Sequence, residues 1–395
     1  MITYHTIALG FIAMALRIPP QALSEEKDPS GLKSGVLIVS TYLIQGAVGL
    51  LITILLGYTI MPGLFKAAGI LLPMGYGQGP GQANNIGSLY QQYGFAGGQS
   101  FGLAIAAAGY LCACIIGVIY LNILRSKKKI SVASSDAASE NVSADEFQDK
   151  NEIPISESLD RFTVQICLVA VIYLVTYLLT KGITDILASS APVIAKTISP
   201  LLWGFNFIIG SLLALACRNL LKLFKKANLI TRQYQNNYLL NRISGALFDI
   251  MIVCGIASID VYDLSGLWLP FILLAVTGAI VTHFYLIKIC KRLFPNYHYE
   301  AYFSMFGMLT GTISSGILLL REIDPSFKTP AANNLVTGSG FGIAFGAPIL
   351  ILTGIAYKSN AMALLLLGIC VVYFGVLLAF MFKLSKKKPT GKQKG

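Results

Sequence analysis

The chain predicts an all-α polytopic membrane protein with about nine spanning helices, two re-entrant segments and an inverted internal repeat. Three observations lead there. Of its 395 residues, 55% are hydrophobic and 12% charged, with a mean hydropathy of +0.68. An ordinary soluble domain carries roughly 25% charged residues, so water could not solvate this surface, whereas lipid can. Apolar windows long enough to cross a bilayer recur along the chain, and two Gly-rich segments interrupt them at corresponding places.

A bilayer core takes about 20 apolar residues as a helix. Lettered in chain order, the spans are A (2–18), B (35–61), D (99–124), E (162–180), F (194–217), G (243–260), H (266–289), J (331–357) and K (360–382). The interrupted segments are C (62–90) and I (299–320). Residues 125–160 open on Arg125-Ser-Lys-Lys-Lys and continue rich in Ser, Asp, Glu and Asn without apolar periodicity, which reads as a disordered cytoplasmic linker. The organisation expected is a first, incomplete repeat over 1–124, the linker, a second repeat over 161–357, and an extra helix with a basic cytoplasmic tail over 358–395.

Lys and Arg number 30 against 18 Asp and Glu. All but Lys66, Lys181, Lys196 and Lys358 fall on connections after A, D, F, H and I and in the tail. Cationic loops stay in the cytoplasm because translocating them is unfavourable. Nine alternating helices reproduce that split only if C and I each enter and leave on one side, C from outside and I from inside. The positive balance is therefore topology, and nucleic acid is excluded as a partner. Membrane lipids are the surroundings instead.

The order A-B-C-D recurs as G-H-I-J. Ala8-Leu-Gly-Phe-Ile-Ala-Met aligns with Ile252-Val-Cys-Gly-Ile-Ala-Ser, Leu32-Lys-Ser-Gly with Asp263-Leu-Ser-Gly, and Gly77 with Gly311. Five spans, A, B, D, E and F, precede G, an odd number, so the second copy is inverted. Inverted repeats with broken helices are the signature of secondary transporters.

Segment C contains Pro73-Met-Gly-Tyr-Gly-Gln-Gly-Pro-Gly-Gln-Ala-Asn-Asn85. At about 1 kcal/mol per Gly and 3 per Pro, that run is expected not to hold a helix. Irregular backbone at membrane depth persists only when buried in protein or lining a wet cavity. Gly75, Gly77, Gly79 and Gly81 would bring backbone to a ligand, with Gln78, Gln82, Asn84 and Asn85 as neutral donors and acceptors. Segment I, Phe306-Gly-Met-Leu-Thr-Gly-Thr-Ile-Ser-Ser-Gly316, offers Gly307 and Gly311 and the hydroxyls of Thr310, Thr312, Ser314 and Ser315. Such hydroxyls suit a monovalent cation or a carboxylate; the alternative is that they bond back to their own helix. Asp249, inside G, is a candidate for a coupling cation or a proton, with an interfacial carboxylate near Arg242 as the alternative. His283 reads as a hydrogen-bonded packing residue. The seven cysteines read as small apolar residues.

These residues resemble the bacterial sodium/glutamate symporter family. Gly75-Tyr-Gly-Gln-Gly-Pro-Gly-Gln-Ala83 with Tyr93-Gly-Phe95 is similar to its first Gly-rich motif, and Tyr299-Glu-Ala-Tyr with Gly307, Gly311 and Thr312 to its second. The likeness runs from A through J. It implies a multi-pass carrier of the bacterial inner membrane that moves glutamate or a related small carboxylate with Na⁺ by alternating access. Binding roles would fall to Gly77, Gln78, Gly79, Gly81, Gly307, Gly311 and Thr312. A homodimer and no cofactor beyond the coupling Na⁺ are also implied. The family's first motif carries His and Thr where Gln78 and Pro80 stand, and its second has Thr-Pro-Thr in place of Ile313, Ser314 and Ser315. Two spans precede A in the family, so the chain is expected to be truncated or its start misassigned, and a transport-defective or regulatory membrane protein is the alternative function. An intramembrane lipid-modifying enzyme is a further alternative. His5, His283 and His298 lack paired spacing with carboxylates and no Walker pattern occurs, so an enzyme is not expected.

Overall fold

The computed structural model describes residues 2–18, 30–130, 160–192, 195, 199, 202–204, 206–230, 232–325 and 329–386. Its long elements are α1 (Ile2–Leu16), α2 (Ser30–Tyr58), α3 (Leu71–Tyr76), α4 (Pro80–Gln92), α5 (Gly98–Ser126), α6 (Arg161–Ser190), α7 (Asn206–Lys226), α8 (Asn237–Ala257), α9 (Trp268–Leu293), α10 (His298–Thr310), α11 (Ile313–Arg321), α12 (Ala331–Thr353) and α13 (Asn360–Lys386). A 3-10 turn, Lys66–Ile70, leads into α3. The linker expected over 125–160 lies outside the described residues from 131 to 159, as does the end of the tail from 387.

Seven helices among the described residues, α2, α5, α6, α7, α8, α9 and α13, are long and apolar enough to cross a membrane, and the chain is a multi-pass membrane protein. The sequence suggested nine. Span A is α1, whose 15 residues reach about 22 Å against the roughly 30 Å of a hydrocarbon core. Span J is α12, 23 residues long but interrupted by Pro348, which removes an amide from the ladder.

The chain divides into two compact units, one drawn from Met1–Lys27 and Ser139–Ser258 and the other from Asp28–Ala138 and Ile259–Gly395. In the first, α1 packs against α7, α8 and α6. Ile12, Ala13, Leu16, Val169, Ile172, Ala214 and Leu240 form its core. Lipid tails are as apolar as Leu, so burial of these side chains brings little; close approach does more. Gly10 supplies it, since a Cβ there would lie 2.7 Å from the Phe248 ring, and Gly210 does the same against Ile12 at 2.8 Å. The carbonyl end of α1 is closed by polar groups. Arg218 donates to Ala15 O at 3.3 Å and Arg17 O at 2.9 Å, and the Asn237 carboxamide accepts from Ile18 N and donates to Ile18 O, both at 2.8 Å. Asp160 caps α6, accepting from the amides of Phe162 and Thr163; Asn236 caps α8 through Leu239 N.

In the second unit α2 packs against α12, α13, α9 and the 3-10 turn. Contact is again made through small residues. A Cβ on Gly49 would strike the Gly69 carbonyl and one on Gly87 the Gly98 carbonyl, and one on Gly35 would strike Phe341. The directions of the elements follow from paired contacts. Gln45 bonds to Thr282 while Ser40, earlier on α2, bonds to Tyr285, later on α9, so α2 and α9 run antiparallel.

Both Gly-rich segments are helical hairpins. Leu71 at the start of α3 and Ala83 in α4 both lie against Gly102, while Tyr76 lies beyond them, beside Gly109, so the chain travels along α5 and returns. In α10 and α11, Gly307 faces Gly316, which in turn meets the Ser304 carbonyl. The expectation that segment C would be irregular throughout is corrected. Only Gly77, Gln78 and Gly79 leave the helix. Pro80 opens α4 at its first position, where a missing N–H costs nothing. Gly75 stays helical because α3 presses on α5, where a Cβ would come 2.8 Å from Ala106 N.

Candidate functional site

The two hairpins break at their tips. After Tyr76, Gly77 still has helical angles, and Gly79 takes φ 81°, ψ −177°, a region essentially open to glycine alone. After Thr310, Gly311 lies at φ −137°, ψ −106° and Thr312 is extended. The tips meet. A Cβ on Gly79 would lie 3.4 Å from Thr312 Cγ2 and 3.7 Å from Gly311 O.

Two helices therefore begin at one place, α4 at Pro80 and α11 at Ile313. The first amides of a helix have no partner within it and usually take one from a capping side chain. Gly79 has no side chain to offer. Thr312 has one, but its hydroxyl does not cap α11 and remains buried with no partner. The amides of Gly81, Gln82, Ile313, Ser314 and Ser315 thus start two helices without a side-chain cap. Each end carries roughly half a positive charge.

Gln82 sits in the first turn of α4, 1% exposed, with neither its amide nitrogen nor its oxygen bonded. Each unpartnered buried polar group costs about 1–3 kcal/mol. Charge is missing altogether: neither Ala67–Leu124 nor Ala301–Leu320 contains Asp, Glu, Lys, Arg or His. The tips therefore carry only backbone dipoles, the positive starts of α4 and α11 beside the carbonyl ends of α3 and α10.

Of the residues singled out from sequence, Gly77, Gln78, Gly79, Gly81, Gly311, Thr312, Ser314 and Ser315 lie at the two breaks or in the first turns after them. Ser315 Oγ lies 2.9 Å from where a Gly311 Cβ would be. Thr310 turns its hydroxyl onto its own helix, donating to Phe306 O at 2.7 Å. Asn84 accepts from Gln99 Nε2 at 2.9 Å, Asn85 is half-buried one residue on, and Gly75 and Gly307 serve the packing described above. Asp249 belongs to the first unit, where it is exposed on α8. His283 bonds through Nδ1 to the Tyr302 hydroxyl at 2.7 Å, with the Tyr120 ring edge-on.

Three further residues at the tips are not among those singled out from the sequence. Tyr42 on α2 covers Gly77, and Gly109 on α5 receives the Thr310 carbonyl. Gln45 is fully buried on α2 and donates to Thr282 Oγ1 at 2.9 Å and to Leu309 O at 3.0 Å. Only for Gly109 was there a signal, the small-residue run Ala106-Ala-Ala-Gly109. Comparison with protein-family models, with curated proteins and with solved structures finds no match to this chain.

Proposed function

We propose that the chain is a secondary active transporter that carries a small carboxylate, glutamate foremost, with Na⁺ across the bacterial inner membrane by alternating access. One observation carries this reading: two uncapped helix starts meet at Gly79 and Thr312, the Gln82 carboxamide in the first turn of α4 and the Thr312 hydroxyl are buried and unbonded, and neither Ala67–Leu124 nor Ala301–Leu320 carries a charge. Helix N-termini are ready-made sites for carboxylates. The Gln82 carboxamide adds a donor and an acceptor beside them.

The hairpins are re-entrant in this reading and belong to the two copies of an inverted repeat. Its support is geometric. The first hairpin follows the C-terminal end of α2, and the second follows the C-terminal end of α9, which runs antiparallel to α2. Their mouths then face opposite sides. None of the four hairpin helices exceeds 13 residues, about 20 Å, so none crosses a core of about 30 Å alone.

Coupling to a cation has an electrostatic reason. Moving one negative charge inward against 100 mV costs about 2.3 kcal/mol, and a co-bound Na⁺ cancels that charge. With no fixed charge at the tips, the empty site has none to carry through the membrane on its return. The test is uptake of labelled glutamate by liposomes containing the purified chain. Uptake is expected only under an inward Na⁺ gradient; uptake that persists when K⁺ replaces Na⁺ rejects the coupling ion, and none under any gradient rejects the carrier.

A further inference from the structure

Two arginines of the first unit grip the end of α1 without meeting an acid. Arg218 on α7 donates through Nη1, to Ala15 O at 3.3 Å and Arg17 O at 2.9 Å. Arg17 turns back with Nε onto Met14 O at 3.2 Å and gives Nη1 to Asn241 Oδ1 on α8 at 2.8 Å. Both cations are thereby fixed on the same final turn, and both side chains are half-buried. Nε and Nη2 of Arg218 and Nη2 of Arg17 bond to nothing among the described residues, yet none of the three is enclosed, so these donors face outward.

Capping alone does not balance the charge. A guanidinium stays protonated at any physiological pH. The carbonyl end of α1 offers about half a negative charge against two positive ones. The elements that carry the pair hold no carboxylate to supply the rest: residues 2–18 and 206–248 contain no Asp or Glu, and 206–248 carry six Lys and Arg. Asp160, at the start of α6, is taken up by the cap of its own helix, and Asp249 lies two turns beyond Asn241 on α8. A planar fork with two free donors fits a phosphate, which accepts through two oxygens at once. The level of the pair on α7 says where that phosphate comes from. Leu220, Leu223 and Phe224 stand between Arg218 and the end of the helix, 51%, 58% and 44% exposed. Apolar side chains so exposed face lipid, which puts the arginines at the level of headgroups and not in open water.

We propose that Arg17 and Arg218 bind the phosphate of an anionic phospholipid whose tails lie along the exposed apolar side chains of α7. A phosphodiester with an uncharged headgroup, as in phosphatidylglycerol, brings the full negative charge that the pair lacks, whereas the choline of phosphatidylcholine cancels it. The site ties α1, α7 and α8 together at one point, and it stands whether or not the chain is a carrier.

The experiment is thermal unfolding of the purified chain in detergent micelles doped with phosphatidylglycerol or phosphatidylcholine, or supplied with inorganic phosphate, at constant ionic strength. Phosphatidylglycerol alone is expected to raise the midpoint, by on the order of 5 °C at about 100 times its Kd. Arg17→Gln with Arg218→Gln should abolish the rise. Lys222→Gln with Lys226→Gln, which removes two exposed cations from the end of the same helix, should leave most of it. An equal rise with phosphatidylcholine, or none with either lipid, overturns the site. A rise with inorganic phosphate as large as that with phosphatidylglycerol overturns lipid as the source. Equal losses in the two double variants make the arginines part of a diffuse basic surface and overturn the fork. Should the arginine variant fail to fold, Arg218→Lys, which keeps the charge and a donor to α1 but not the fork, should raise the half-maximal phosphatidylglycerol concentration about tenfold; an unchanged titration overturns the site equally.

Discussion

Replacing Gln82 by Leu should make the empty protein more stable and the loaded protein less so. In the empty site both polar atoms of Gln82 are buried and unbonded, at about 1–3 kcal/mol each. Leu removes both and keeps most of the bulk. Allowing for imperfect fit, a net gain of about 2 kcal/mol is expected, which raises the midpoint by on the order of 4 °C. With ligand the balance reverses. A carboxylate at 100 times its Kd stabilises the wild type by about 2.7 kcal/mol. Loss of one donor and one acceptor weakens binding roughly 100-fold, which leaves only about 0.4 kcal/mol at the same concentration. Thermal unfolding in detergent with and without glutamate reads both quantities in one assay. A variant that melts below the wild type when empty, and gains as much from glutamate, would refute the claim that Gln82 waits for a ligand.

Gly311→Val should abolish uptake while leaving the amount of protein in the membrane unchanged, because a Cβ there lies 3.0 Å from Gly307 O and 3.1 Å from the Tyr110 ring, at the tip itself; uptake with normal KM would count against the site. Gly87→Val should do the opposite kind of damage, lowering the yield of folded protein in size-exclusion profiles, since its Cβ strikes the Gly98 carbonyl where α4 lies on α5. At the start of α6, hydrogen bonds from the Thr163 hydroxyl and amide and from the Phe162 amide hold the Asp160 carboxyl below its ordinary 3.8. The cap's contribution is therefore present above that ordinary value and is lost as pH falls through the lowered one. Amide exchange at Phe162 and Thr163, corrected for intrinsic rate, should rise in that window. Asp160→Asn, which still caps, should flatten the dependence.

The positions of the two breaks were legible because glycine marks them. Gly77 and Gly79, and Gly311 beside Thr312, stand where the helices end, and no packing gain outweighs the cost of continuing through them. The same residue type misled nearby: Gly75 and Gly81 suggested irregular backbone, yet both remain helical, Gly75 because a helix pressed against α5 needs a position without a side chain. Capping was the other failure. Thr312 has the residue type of a helix cap, and a local reading cannot tell that its hydroxyl goes unused. Gln45 and Tyr42 were invisible for a different reason. Each is a polar or aromatic residue inside an apolar span, and what distinguishes it is a partner on another element, more than 30 residues away along the chain. The hydroxyl of Thr310 could be read either way, and it bonds to its own helix.

The want of acids, bases and imidazoles at the hairpin tips has a consequence for how the protein would meet a changing environment. Tips built of amides, hydroxyls and peptide groups gain and lose no protons between about pH 5 and 8. If the chain is the carrier proposed above, acidification of the medium would act on the cargo through the cargo's own ionisation, and substituting one neutral residue at the tips for another would redirect selectivity without creating a proton-driven machine.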